Sequence, residues 1–538
     1  MTPGQTADFI VVGAGSAGCV VASRLSEDPA VSVLLIEAGA SDWTRQTRIP
    51  AALSRTLGNP RFDWRLRTEP DPSRDNRADQ WSRGRLPGGS SSLNGLIYVR
   101  ATREDFDGPA WSANPGWDWS AMHALYRRAE TSAVQSGQER GAHGPVHVEL
   151  SAYRHPLTDP FIAAAERRGV PFNPDINGAS RLGIGYCPAN IRRGVRQSAF
   201  DAYIRPHARR PNLRVLTGRT VSRVLFEDGA ATGIETVEGR VPAVHTARRG
   251  VVLSCGTFHT PHLLMLSGVG PGRALAAAGI PVVADRVEVG QNLMDHVGVR
   301  MPFLVDHATL NTQARLHRSA VHAVRWLVDG KGPVGAPSAQ AIGFCGRTGL
   351  SDPPDLQLTL FPFANVVDGR GRAVLPDKPY MAVAVNLNYP RSRGHLSLRT
   401  DDPRAQIRIH PRLLDHPDDQ DCMLDGMARA REIIDSEPFA AHVTAVEFPD
   451  GSGGRNADLA FLRANARSFM HPIGTCRMGP DAGSVVGPDL QVRGTRQLWV
   501  ADASVFPAHV TGNINATVIA VGEKAADLIR AATPHAVH

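Results

Sequence analysis

The clearest change of pattern lies at the start of the chain. Residues 9–12 form a continuous apolar run, short enough for a strand buried on both faces. Gly13, Gly15 and Gly18 follow at once, and residues 19–25 then read as a helix opening on those glycines. A second apolar run, 31–36, ends in Glu37. The pattern predicts a strand, a glycine turn, a helix and a parallel strand. In such a unit Gly13 permits the tight turn, Gly15 lets a pyrophosphate approach the backbone, and Gly18 lets helix and strand pack closely. Ser16 and Ala17 lie in the turn that leads into this helix, whose free N–H groups and positive dipole end favour an anion. Glu37 stands where an acidic residue accepts hydrogen bonds from a ribose. It would repel a 2′-phosphate, so the spacing predicts FAD or NAD rather than NADP.

Further along, 84–98 is a stretch of Gly and Ser anchored by the apolar residues 96–99, fit to press backbone N–H groups against a flat or anionic ligand. Residues 121–133 read as a helix. Successive strands are predicted at 212–217, 221–226, 233–235, 244–247 and 250–256, and then a helix over 260–268, entered by Pro261 and closed by Gly268. From 300 to 460 the character changes. Strands at 356–361, 381–388 and 394–399, with helices near 317–328 and 417–435, predict an antiparallel sheet backed by helices, an α+β unit. The end returns to the first style, with a strand over 498–502 that finishes in Asp502 and an amphipathic helix over 518–529. Residues 41–82 read as an irregular excursion, and Trp111, Trp117 and Trp119 as core packing.

Composition narrows the function classes. At 538 residues the chain is too long for one core. Its formal charge of +7 is carried almost wholly by arginines scattered among acids. No basic tract with interleaved aromatics is present, which argues against a nucleic-acid partner. The six cysteines form no C-x-x-C pair, so neither a zinc framework nor a disulfide framework is expected. No apolar run reaches the roughly 18 residues that span a bilayer, and no secretory leader is read. The expectation is a cytoplasmic protein without an integral membrane segment.

Four segments together resemble the glucose–methanol–choline (GMC) oxidoreductases over nearly the whole chain. They are 13–18 with 37–39; 84–98; 256–270; and 471–479 with 502–504 and 513–516. The third fits the family's second signature throughout. The likeness is greatest to the family's bacterial alcohol, choline and sorbose dehydrogenases. The resemblance implies an α/β fold: a doubly wound, Rossmann-like FAD-binding domain made of 1–154, 196–300 and 463–538. It is joined to an α+β substrate domain on an antiparallel sheet, made of 155–195 and 301–462. It implies FAD, with adenosine near Glu37, Ala38 and Val221, pyrophosphate on the Gly13 loop and near Asp502 and Ala503, and the isoalloxazine against Gly89, Ser90, Asn94, Gly95, Leu96 and Ile97. Gly256 opens the second signature. Leu93 stands where some relatives attach FAD through a histidine, so non-covalent FAD is expected.

Oxidising an alcohol through a flavin requires a base for the hydroxyl proton and a path for the carbon-bound hydrogen as hydride to N5. Histidine is the side chain suited to the first task. The resemblance points to His471 as that base and to Asn515 as the amide that holds the alcohol oxygen. The expected reaction takes a small-molecule primary alcohol to an aldehyde and passes electrons to a quinone or another carrier. The alternatives are an alcohol oxidase that makes hydrogen peroxide and a flavin-containing lyase that cleaves cyanohydrins. No metal is expected, since His259 and His262 lack a third ligand. Asp295-His296 is read as structural. Phe361, Phe363, Asn386 and Asn388 are candidate pocket contacts, and no acidic residue is evident to hold a quaternary ammonium.

Overall fold

The structure, a computed structural model, describes residues 4–41, 45–134, 139–238, 241–313, 316–351, 353–367 and 373–533. The elements that position the site begin with β1 (Thr6–Val12), α1 (Ser16–Leu25), β2 (Val33–Ile36), β3 (Gly183–Tyr186), β4 (Leu213–Leu216) and β5 (Thr220–Glu227). Next come β6 (Ala230–Glu238), β7 (Val241–Leu253), α2 (Gly256–Leu266), β8 (Val297–Val305), β9 (Ala341–Cys345) and β10 (Leu356–Phe361). The last are β11 (Tyr380–Leu387), β12 (Val443–Val446), β13 (Arg467–Ser468), β14 (Leu498–Val500) and α3 (Asn515–Ala532).

The first sheet runs β4-β2-β1-β7-β6-β5, with β14 added beside β7. β4, β2, β1, β7 and β14 are parallel, while β6 and β5 extend β7 as an antiparallel ribbon. The parallel core explains the continuous apolar runs. Ile10, Val11, Leu35, Val251 and Val252 are wholly buried, because helices cover both faces of such a sheet. Each such side chain contributes about 1.5–3 kcal/mol of burial. The carboxyl ends of β1, β2 and β7 lead directly into Gly13, Glu37 and Ser254, and that of β14 reaches Asp502 one residue later, the edge where ligands of open α/β sheets bind.

The second sheet is antiparallel throughout, in the order β12-β8-β11-β10-β9-β3, with β13 paired to β8. One face packs under a helix spanning Pro417–Ile434, so closely that a Cβ on Gly426 would lie 2.6 Å from Val385 Cγ1. Its opposite face, with Arg300 on β8 and Phe361 on β10, meets the cavity described below. The sheet starts at Val297 and takes a late strand from 467–468, so its membership runs slightly beyond the range 301–462.

The helix expected at 260–268 begins four residues earlier, at Gly256, and Pro261 lies inside it. Proline removes the N–H that would bond the Thr257 carbonyl. Thr475 Oγ1 donates to that carbonyl instead, at 2.6 Å, so the helix tolerates the proline. Trp111 and Trp117 are buried in the core, and all six cysteines are unpaired, five of them buried.

Candidate active site

A cavity of about 1200 Å³ runs between the two sheets. Its walls bring together Gly13, Gly15, Ser16, Ala17, Glu37, Ala38, Gly89, Ser90, Asn94, Gly95, Leu96, Ile97, Val221, Gly256, Asp502, Ala503, His471 and Asn515. Gly18 alone among the expected site residues is absent from the wall. A Cβ there would stand 1.9 Å from the Gly13 carbonyl oxygen, so its role is to let α1 pack on the turn.

One end is a cradle built from backbone. Gly13 holds φ +97°, and a Cβ on it would stand 2.5 Å from the Ser254 carbonyl oxygen. Gly89, at φ +52°, comes so near that its Cβ would lie 2.8 Å from Gly15 Cα. Two loops far apart in sequence thus meet backbone to backbone. α1 starts at Ser16 with no side-chain cap, and α3 starts at Asn515 with none. Their first N–H groups have no intrahelical acceptor and their dipoles favour an anion. Ser16 Oγ donates to Asn515 Oδ1 at 2.7 Å and ties the two helix starts together.

Glu37 accepts from the Ala14 N–H at 3.0 Å and the Gly39 N–H at 2.8 Å. Burial pushes its carboxyl up to about 7 against these bonds. Asp502 Oδ2 accepts from the Gly256 N–H and the Thr260 hydroxyl, and its Oδ1 from the Ser504 N–H. It therefore locks α2 to the end of β14. Glycine cradle, two helix starts and a buried ribose-type acid fit an FAD. Leu93 packs with Phe62 and Leu86 and offers no nucleophilic atom.

The other end holds the titratable machinery. His471 is buried on a loop fixed by Asp295, whose Oδ1 accepts the His471 N–H at 2.9 Å while Oδ2 accepts from the Ser468 hydroxyl. Asn513 Nδ2 donates to His471 Nε2 at 2.9 Å. Asn513 is held by the preceding backbone, where the Thr511 N–H donates to the buried Asp105 carboxylate at 3.1 Å and the Gly512 N–H to Asn388 Oδ1 at 3.4 Å. Behind His471, its Nδ1 faces His296 Nδ1 at 3.0 Å, and His296 Nε2 lies 3.0 Å from the Asn388 carbonyl oxygen.

These contacts fix the proton positions. A carbonyl only accepts, so His296 Nε2 carries hydrogen. Burial lowers the pKa of His296 to about 3, so the ring is neutral and its Nδ1 is an acceptor. His471 must then donate from Nδ1, which leaves Nε2 bare and facing the cavity. Burial, then His296 and Arg83, hold the His471 pKa well below that of a free imidazole, so the ring rests neutral and ready to accept a proton.

Two expectations change here. Asn515 points to Ser16, and the amide beside His471 is Asn513, two residues earlier. His296, taken as structural, touches His471 directly; the Asp-His pair in the sequence was the available signal. Phe361 and Phe363 line the cavity, whereas Asn386 and Asn388 do not. Asn388 is spent on His296, Gly512 and the Pro354 carbonyl. His259, half-buried, and His262, buried, line the cavity as neutral rings, with pKa values lowered by desolvation to about 3 and 4. Outside the cavity wall, Asp306, His307 and His442 bring one ligand atom each within 4.8 Å of one another. Among the described residues no helix is long and apolar enough to cross a membrane.

A dinucleotide cradle that opens onto a neutral histidine and an amide is the site of a dinucleotide-dependent oxidoreductase. Comparison with known proteins gives the family. The GMC oxidoreductase family models match residues 7–298 for the N-terminal part and 390–522 for the C-terminal part. The chain is 38% identical over 537 residues to an oxygen-dependent choline dehydrogenase of Rhizobium etli, covering 98% of this chain and 96% of that protein. It is 34% identical to an alcohol dehydrogenase [acceptor] of Pseudomonas putida, covering 97% and 95%. A crystal structure of formate oxidase superposes with a TM-score of 0.91 at 28% identity, covering 99% of each chain. The chain belongs to the GMC oxidoreductase family. It is an FAD-binding enzyme of the kind that acts on CH–OH groups.

Proposed function

We propose that the enzyme oxidises a primary alcohol to an aldehyde, with His471 as the base and Asn513, in place of Asn515, as the group that holds the alcohol oxygen. The observation that carries this is the bare Nε2 of His471 on the cavity wall, 2.9 Å from the Asn513 amide. A hydroxyl that replaces this bond and touches both groups would give its proton to Nε2 and accept from the Asn513 N–H, which stabilises the developing alkoxide without adding charge. The proton that arrives makes an imidazolium, which keeps its Nδ1–H on His296, while Asp295 holds the loop through the His471 backbone N–H. FAD, when bound, supplies the two-electron acceptor for the carbon-bound hydrogen that leaves as hydride. The proton taken up by His471 and the hydride lost from carbon balance the conversion of CH–OH to C=O. FAD is held without a covalent bond, because Leu93 offers no nucleophile. Electrons then pass to a quinone or another carrier, in keeping with a relative that is an alcohol dehydrogenase [acceptor].

The test is to mix the holoenzyme without oxygen with primary alcohols, aliphatic, aromatic and sugar-derived, and to follow the visible flavin band. Bleaching by some member supports alcohol oxidation. Rapid return of colour in air would make the enzyme an oxidase and overturn the carrier. If no alcohol bleaches the flavin, hydride transfer fails and a lyase takes its place.

A further inference from the structure

The wall of the cavity on the substrate-sheet side carries a cation with no counter-ion among the described residues. Arg300 extends from β8 into the cavity, with its guanidinium 4.6 Å from the centre of the Phe361 ring. Its side chain is exposed to that space, yet protein crowds it closely enough that desolvation, and then the Arg467 charge, lower its pKa to about 10. It remains charged at neutral pH, and its one resolved charged neighbour is a second cation. Among the described residues, the carboxylates on the cavity wall are those of Glu37 and Asp502, both of which already accept hydrogen bonds from the cradle backbone. Behind the wall, on the same strand pair, stands Asn386. The β8–β11 register sets Arg300 opposite Ala384 and Gly298 opposite Asn386, so Arg300 and Asn386 share a sheet face. Both polar atoms of the Asn386 amide are buried without a partner.

A guanidinium held over Phe361 on the cavity wall, with no carboxylate beside it among the described residues, leaves its donors free for a ligand, and the planar fork is shaped for two oxygens of a carboxylate or phosphate. A quaternary ammonium would meet the opposite of what it needs. We propose that Arg300 is an anion subsite of the substrate chamber, and that the alcohol oxidised here carries a carboxylate or like anion remote from its reacting hydroxyl. This rests on the alcohol-oxidation reading above and adds the substrate class to it. The spacing follows from the strand. His296, which touches His471, immediately precedes β8, and Arg300 lies four residues on, about 13 Å along an extended chain. The anion therefore stands several bonds from the carbinol carbon. Short α-hydroxy acids hold the carboxylate one bond from the carbinol carbon, whereas ω-hydroxy acids and hydroxymethyl-aryl acids hold it several bonds away.

The experiment compares matched pairs on the holoenzyme without oxygen: ω-hydroxyhexanoate against hexanol, para-(hydroxymethyl)benzoate against benzyl alcohol, and choline beside them. The expected result is that the anionic member reduces the flavin with a rate-to-affinity ratio at least about tenfold above its neutral partner. Arg300→Gln, checked for FAD content and visible spectrum, should abolish that preference, and Arg300→Lys should restore part of it. Equal ratios for the paired alcohols, a preference for choline, or a preference that survives Arg300→Gln would overturn the subsite while leaving alcohol oxidation intact. A second readout needs no turnover. Hexanoate and benzoate, titrated into the oxidised holoenzyme, should perturb the flavin band saturably, with affinity about tenfold weaker or worse in Arg300→Gln. If no alcohol bleaches the flavin, the proposed reaction is wrong and this titration still decides the subsite. No perturbation, or one indifferent to Arg300, would overturn it.

Discussion

Asn513 Nδ2 stands 2.9 Å from His471 Nε2, while Asn515 turns its Oδ1 to Ser16 Oγ at 2.7 Å. The two amides serve different ends of one cavity. Asn515 is the first residue of α3, and Asn513 sits on the loop that Asp105 and Asn388 hold.

That division predicts unequal effects. Asn513→Ala should slow flavin reduction by alcohol by about a hundredfold, the cost of losing one donor to a developing oxyanion, and should leave FAD content unchanged. Asn515→Ala should change the hydride step by only a few fold, and should loosen FAD because it unties the starts of α1 and α3. Stopped-flow reduction and the ratio of flavin to protein absorbance measure both. The reverse pattern would restore Asn515 to the chemistry.

His296 acts through His471. His296→Leu removes the acceptor for the His471 Nδ1–H and frees the ring to adopt the tautomer with hydrogen on Nε2, which cannot take a proton. We expect the reduction rate to fall by roughly tenfold or more, with little change in substrate affinity. His296→Gln keeps an acceptor oxygen and should recover part of the loss. Equal loss in both variants, accompanied by loss of FAD, would mark His296 as a packing residue only.

The pH profile follows from the same burial. His471 works in its neutral form, and burial, His296 and Arg83 all disfavour the imidazolium. A base with a depressed pKa stays competent as pH falls and is lost only when pH drops through that depressed value. The acid limb of kcat/KM should therefore lie below 6.5, the ordinary imidazole value. A limb at or above 6.5 would contradict the electrostatics described here.

Glu37 should make FAD binding depend on pH in the opposite region. Burial raises its carboxyl to about 7 in the protein without FAD. The ionised form is the better acceptor for ribose hydroxyls, so FAD binds at the expense of a proton that Glu37 holds below that pH. The dissociation constant of FAD should rise as pH drops below about 7. Glu37→Gln should flatten this dependence and weaken FAD by about tenfold, since it replaces a charge-assisted acceptor with a neutral one. Fluorescence titration of apoprotein between pH 5 and 8, a span that brackets the shifted carboxyl, reads both effects.

Much of the cradle was legible from the sequence because its chemistry is local. The run of 9–12, the spacing of Gly13, Gly15 and Gly18, and the acid at 37 each constrain the backbone within a few residues, and β1, α1 and β2 form where the pattern places them. The glycines are demanded by contacts too close for a Cβ, so their positions alone carry information. The alternation in 356–361 and 381–388 likewise announced strands, because side-chain direction repeats every second residue.

What the sequence could not decide is direction and partnership across long separations. In the sequence, Asn513 and Asn515 are equivalent amides in one short motif. Only the turn of the chain into α3, and the anchors Asp105 and Asn388, choose which one meets His471. The tautomer of His471 depends on His296, 175 positions away, and through it on the Asn388 carbonyl. Arg300 looks in sequence like one more solvated arginine among many, and its isolation appears only when β8 is laid beside β11 and the acids of the wall are seen to belong to the cradle. Local pattern sets the backbone because sterics and hydrophobic burial act residue by residue. Protonation and charge balance depend instead on which groups folding packs together and which water it removes, and these only the tertiary structure decides.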